Sequence, residues 1–129
     1  MEILIKRLEE KAKLPAYSHE AGPGIDLYAL NTVIIEPGAK VRVQTGIAMA
    51  MPVGYIGLIW NEQPMVINSS LKVTRGMVDS GYRDEIVVEL TNVGAETHTI
   101  NAGETVAQVL VQQIHLAHLI EAEDLSSGR

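Results

Sequence analysis

The sequence predicts an all-β fold of jelly-roll type, a sandwich or barrel. Three observations predict it: Val and Ile recur through the middle of a chain that has no Phe, residues 86–90 alternate with period two, and turn signals come about every eight to twelve residues. β-Branched side chains suit a pleated, half-buried surface and so favour strands. With 129 residues, 47 % of them hydrophobic, the chain has the size of one domain and can fill one core. One domain over 1–129 is expected, with the polar residues 121–129 as a tail outside the core.

Residues 3–8 read as a first strand. An irregular stretch follows from Leu14-Pro15 to Gly22-Pro23-Gly24, which neither a helix nor a central strand accepts. Strands are expected at 33–35 and 40–44 around the turn Glu36-Pro37-Gly38-Ala39, and Met51-Pro52-Val53-Gly54 turns the chain into a strand at 55–60. These read as successive hairpins. A less regular segment, 61–70, precedes a short strand at 71–74. Ile86, Val88 and Leu90 then alternate with Val87 and Glu89, and Asn92-Val93-Gly94 and Asn101-Ala102-Gly103 mark two further turns. The last strand, about 105–114, is apolar on both faces: Val106, Leu110 and Ile114 share one with Gln108 and Gln112, and Ala107, Val109 and Val111 make the other. Both faces must be covered, and in so small a domain another subunit is one source of cover.

Without cysteine there is neither a disulfide framework nor a thiolate metal site. The N-terminal MEILIKRLEEKAKL is charged every few residues, which argues against a signal peptide or membrane span and for a cytoplasmic protein. A formal net charge of −6 with thinly spread Lys and Arg excludes a nucleic-acid polymer as partner. A small anion remains admissible, because local donors or a cation reverse the field within one cleft. His115 and His118, three apart on a strand, point to opposite faces and do not share a metal.

The segment 76–85, GMVDSGYRDE, puts the carboxylate of Asp79 after an apolar strand and the ring of Tyr82 three residues on, across a glycine-containing turn. The residues alone leave both readings open, Asp79 as a turn cap or an acid and Tyr82 as a packing or a ligand-facing ring. Residues 76–85 resemble the third motif of the trimeric dUTP pyrophosphatases (dUTPases), 22–29 (GPGIDLYA) the first, and 103–110 (GETVAQVL) the fourth, in matching order over nearly the whole chain. The resemblance implies a jelly-roll-like homotrimer with sites at subunit boundaries, which hydrolyses dUTP to dUMP and pyrophosphate with Mg²⁺ held mainly by substrate phosphates. It further implies that Asp79 orients and deprotonates the attacking water and contacts the 3′-hydroxyl, that Gln108 helps to hold that water, and that Tyr82 lies on the deoxyribose. The backbone from Gly76 to Tyr82 would read uracil, Asp26 would touch the hydrated metal through water, and Arg83 would brace the turn.

The second motif departs from the family. Where a Pro-Arg-Ser-Gly-Leu-Ala-like run is expected, Asn61, Glu62, Gln63, Pro64, Met65 and Val66 stand. Gln63 replaces a compact hydroxyl donor, Pro64 has no N–H to give, and Glu62 adds negative charge beside the phosphates. Asp84 stands where Gly is usual and Thr105 where a basic residue is common. The fifth motif, a Gly-rich closing arm, would begin near Arg129, and a missing lid is the corresponding expectation. Hydrolysis is therefore expected to be impaired. The alternative is a non-catalytic or engineered homotrimeric scaffold, holding a second protein chain through an apolar patch at Pro64 to Ile67 or at Leu116, Ala117, Leu119 and Ile120. A related dCTP deaminase is a third reading, disfavoured by chain length and by Asp79 with Tyr82.

Overall fold

The aliphatic runs form twelve strands among the residues that the computed structural model describes, which are 1–17, 22–61, 70–74 and 76–126. They are β1 (Leu4–Arg7), β2 (Ala16–Tyr17), β3 (Gly24–Tyr28), β4 (Val33–Ile35), β5 (Lys40–Gln44), β6 (Ile47–Ala50), β7 (Tyr55–Trp60), β8 (Leu71–Val73), β9 (Gly76–Val78), β10 (Val87–Asn92), β11 (His98–Ile100) and β12 (Thr105–Gln113). No helix of the described residues is long and apolar enough to cross a membrane. The strands pair antiparallel in a five-stranded sheet ordered β2-β3-β12-β7-β9, a three-stranded sheet ordered β5-β10-β8, and the pairs β1-β6 and β11-β4.

The strands lie close to where the sequence puts them, but the expectation of successive hairpins is overturned. Among the described residues only β2 and β3 are both consecutive and paired; β4 pairs with β11, β5 with β10, β6 with β1 and β7 with β12. The turn between β4 and β5 shows why. It closes as expected, Ala39 N donating to Glu36 O at 3.0 Å with Gly38 at φ 79°. Its outward groups bond to the end of β10, Gly38 N to Asn92 O at 2.8 Å and Asn92 N to Ala39 O at 2.9 Å. The turn is an arch from one sheet to another, so Ile35 and Val43 enter the same core from different sheets.

That core is aliphatic, as a chain without Phe requires. Leu27, Ile35, Val43, Leu90, Val106, Ala107 and Val109 have no exposed surface, and each large aliphatic side chain buried this way contributes about 1.5–3 kcal/mol. On β10 the alternation holds: Val88 and Leu90 are buried while Val87 and Glu89 are half-buried. On β12, residues 106–109 are buried in succession, so both faces of this central strand are covered there, and the register shifts between Thr105 and Ala107. Gly57 on β7 lets this strand approach the layer beneath: a β-carbon there would stand 2.8 Å from Val109 Cγ1 and 3.0 Å from Met51 Cε.

Asn92, read from the sequence as the start of a turn, is instead the buried last residue of β10. Its Nδ2 donates to Ile35 O at 2.9 Å and to Glu96 O at 2.7 Å, and its Oδ1 accepts from Gly94 N at 3.0 Å. One side chain thus ties β4, β10 and the loop after β10 inside the core.

Candidate active site

Two constellations carry the candidate residues. The first lies in the five-stranded sheet, where the register places Gln108 of β12 between Asp26 of β3 and Trp60 of β7. Asp26 and Gln108 are both buried, and Gln108 Nε2 donates to Asp26 Oδ1 at 3.2 Å. A buried carboxylate and amide persist in a sheet because they satisfy one another. Gly24 makes the pairing possible, since a β-carbon there would collide with the Gln108 amide. Trp60, the only tryptophan of the chain, remains 42 % exposed beside this pair.

The second constellation is the loop from β9 to β10, two strands that lie in different sheets. Asp79 follows β9 directly and is exposed, as are Gly81, Tyr82, Arg83 and Asp84. The turn closes with Tyr82 N donating to Asp79 O at 3.1 Å. The Tyr82 hydroxyl folds back to donate to Glu85 O at 2.6 Å, so the ring is tied to its own loop and cannot swing freely. Arg83 Nη1 donates to Ser80 O at 2.7 Å and Tyr82 O at 2.9 Å, bracing the turn. Gly76 pairs with Ile59, and β9 is the end strand of its sheet, so one row of its backbone N–H and C=O groups faces away from β7.

The structure therefore brings Asp26 to Gln108, 82 residues apart, and Asp79 to Tyr82, but no described hydrogen bond joins the two pairs. Glu62, Gln63 and Pro64 lie outside the described residues, as do Met65, Val66 and Ile67. Among the described residues no three His, Cys, Asp or Glu side chains converge as a metal cage. His115 and His118 come after the end of β12. The donor set still fits Mg²⁺ held mainly by phosphate oxygens, because such an ion keeps several waters and needs at most one protein carboxylate; Asp79 and Asp84 are exposed, and Asp26 is buried against Gln108.

The one anchor that sequence reading misses is Glu85. Its Oε2 accepts from Gly46 N at 2.8 Å and its Oε1 from Gln44 Nε2 at 3.2 Å, which fastens the loop to the corner between β5 and β6. Nothing in the local sequence signals this, because its partners are 41 and 39 residues away.

The dUTPase family model matches residues 10–128. The chain belongs to the dUTPase family. Among its relatives, the deoxyuridine 5'-triphosphate nucleotidohydrolase of Corynebacterium diphtheriae is 39 % identical over 127 residues, covering 96 % of this chain and 84 % of that protein. The corresponding protein of Mycobacterium marinum is 34 % identical over 129 residues, with 98 % and 84 % covered. In fold, the chain is similar to a point mutant of the dUTPase from phage phi11 of S. aureus, a protein described with a structural Mg(II) ion. The TM-score is 0.85 at 23 % identity, over 96 % of this chain and 98 % of that one. The jelly-roll-like all-β fold expected from the sequence is thus that of the dUTPases, hydrolases of nucleotide metabolism.

Proposed function

We propose that this dUTPase-family chain binds dUTP at the 79–85 loop and hydrolyses it slowly to dUMP and pyrophosphate, in a homotrimer whose neighbouring copies complete each site. The observation that carries the reading is the loop itself: an exposed carboxylate, a ring tied down three residues later, and a strand at the end of its sheet among the described residues, all within ten residues.

Uracil presents acceptor, donor, acceptor along one edge, and the backbone of β9 and its turn offers the complementary N–H, C=O, N–H. Tyr82, fixed through its hydroxyl, presents its ring face to the sugar and leaves no space for a 2′-hydroxyl. Asp79 accepts a proton from the water that attacks the α-phosphorus, which is general-base work for a carboxylate, and it holds the 3′-hydroxyl. Gln108, with its N–H taken by Asp26, has a carbonyl oxygen to accept from that water. Mg²⁺, when bound with the substrate, neutralises phosphate charge and polarises the reacting group. Asp26 reaches it through water.

Assembly of several copies accounts for the separation of the two constellations. It also gives a partner surface to Leu116, Leu119 and Ile120, which are 96 %, 88 % and 76 % exposed. That exposed apolar segment equally favours a second reading, a non-catalytic homotrimeric scaffold. Two measurements test the proposal. Light scattering is expected to give three times the 14.0 kDa chain mass, and a monomer overturns the trimer. Pyrophosphate release with Mg²⁺ is expected to be slow from dUTP and absent from UTP and dCTP. A trimer silent with all three nucleotides selects the scaffold, and ammonia release from dCTP would point to a deaminase instead.

A further inference from the structure

We propose that Glu85 is a positioning residue that holds Tyr82 in place and thereby sets the discrimination of deoxyribose against ribose; the inference rests on the reading of Tyr82 as the wall of the sugar pocket. Among the described residues, the loop 79–84 is joined by no hydrogen bond to another strand. Its described hydrogen bonds close within the turn, from Tyr82 N to Asp79 O and from Arg83 to Ser80 O and Tyr82 O. The carbonyl that receives the Tyr82 hydroxyl belongs to Glu85, so the ring is placed only as well as residue 85 is placed.

Residue 85 is placed by its carboxylate, which takes both the Gly46 N–H and the Gln44 amide. A carboxylate acceptor strengthens such bonds, and the one from Gly46 N, at 2.8 Å, is the shorter of the two. The corner it grips is packed against the core. Gly46 sits at φ 70°, and a β-carbon on it would stand 2.9 Å from Ala12 Cβ and from Leu30 Cδ1, both of them core residues. Its carbonyl accepts from Leu8 N at 2.8 Å. The next residue adds two more ties: Ile86 N donates to Ile47 O at 2.8 Å, and Ile86 O accepts from Thr45 Oγ1 at 2.6 Å. The Glu85 carbonyl shares a planar peptide unit with Ile86 N. The core therefore reaches the exposed ring by two routes, through the Gly46 bond to the Glu85 carboxylate and through the Ile86 bond to Ile47, and the first is the one that Glu85 itself supplies. Remote positioning of this kind matters because an ångström of misplacement at a pocket wall is enough to admit a hydroxyl group.

The test uses the full chain with dUMP and UMP as probes, titrated by NMR or calorimetry, because monophosphates bind without calling on the altered phosphate loop. The unmodified chain is expected to prefer dUMP by about tenfold or more, the worth of one well-placed steric and hydrogen-bonding contact. Glu85→Ala is expected to bring the preference within about twofold at unchanged secondary structure. Glu85→Gln, which can still accept from Gly46 N–H, is expected to restore most of it. Tyr82→Phe should fall to the level of Glu85→Ala, and the double variant no further, since both break one path. Should Glu85→Ala fail to fold, Gln44→Ala removes one arm of the grip and is expected to lose part of the preference. Retained preference in a folded Glu85→Ala or Gln44→Ala, or full additivity with Tyr82→Phe, overturns the role of Glu85 and leaves the reading of Tyr82 intact. An unmodified chain without preference overturns both.

Discussion

Converting the second motif back, with Glu62→Arg, Gln63→Ser and Pro64→Gly together, is expected to raise kcat/KM for dUTP by about a thousandfold or more. By resemblance, each replaced position would face the phosphates. Removal of one preorganised donor from a site that stabilises developing negative charge costs about 3–4 kcal/mol, and Gln63 and Pro64 would account for two such donors. One negative charge about 5 Å from a phosphate charge costs about 3 kcal/mol at an effective dielectric constant near 20, and Glu62 would supply such a charge. Every 1.36 kcal/mol is about a factor of ten in rate, so even partial recovery spans several powers of ten. The gain must vanish when Asp79→Asn is added, because phosphate binding cannot replace the base. Pyrophosphate release measures both. An unmodified chain that already turns over at an ordinary rate of about 1–10³ s⁻¹ overturns the account of the loop.

The second large effect is on stability. Asn92→Leu keeps the branching but overfills the site, and it leaves the buried Ile35 O and the part-buried Glu96 O and Gly94 N without their side-chain partner. Each buried group left unsatisfied costs about 1–3 kcal/mol. The expected loss is about 3–5 kcal/mol, against a total of about 5–15 kcal/mol for a domain. Urea denaturation should show a midpoint shifted far down, while Val93→Ala, at a neighbouring residue 55 % exposed, should change stability by less than about 0.5 kcal/mol. Equal midpoints for Asn92→Leu and the unmodified chain would mean that the three backbone groups find other partners.

The difference between Asn92 and the strands around it marks what the sequence makes legible. Period-two alternation and Gly- or Pro-bearing turns are local, and they locate β4, β5, β7, β10 and β12 to within a few residues. Which strands pair is not local. A turn such as Glu36 to Ala39 looks the same whether it closes a hairpin or arches between sheets, and only the bonds to Asn92 decide. Asn92 itself misleads because asparagine favours turns for the same reason that it serves here, a side-chain amide that bonds nearby backbone.

The site divides along the same line. Asp79 and Tyr82 are three residues apart in one turn, so their association can be read directly. Asp26 and Gln108 are joined only by the pairing of β3 with β12, and spacing alone could not reveal it. Their candidacy came from resemblance, and the room that Gly24 leaves for the Gln108 amide is visible only once the strands are side by side. Glu85 escaped notice for the opposite reason: it lies inside the recognised segment, but its function depends on a corner 39 residues earlier.

The pairing pattern also fixes when this chain can begin to fold during synthesis. β12 joins β3 to β7 and so holds the five-stranded sheet together, yet it starts only at Thr105. β5 waits for β10 and β4 for β11 in the same way. A nascent chain released through β9 has made most of its apolar strands but can form only the pairs β1-β6, β2-β3 and β7-β9 among those described. Such distant pairings fold slowly, in about milliseconds to seconds, because loop closure precedes any reward from contact. Until its last quarter is made, the chain therefore relies on the charges around β1 and in its loops, and on whatever chaperones it meets, to keep open strand edges from joining those of other nascent copies.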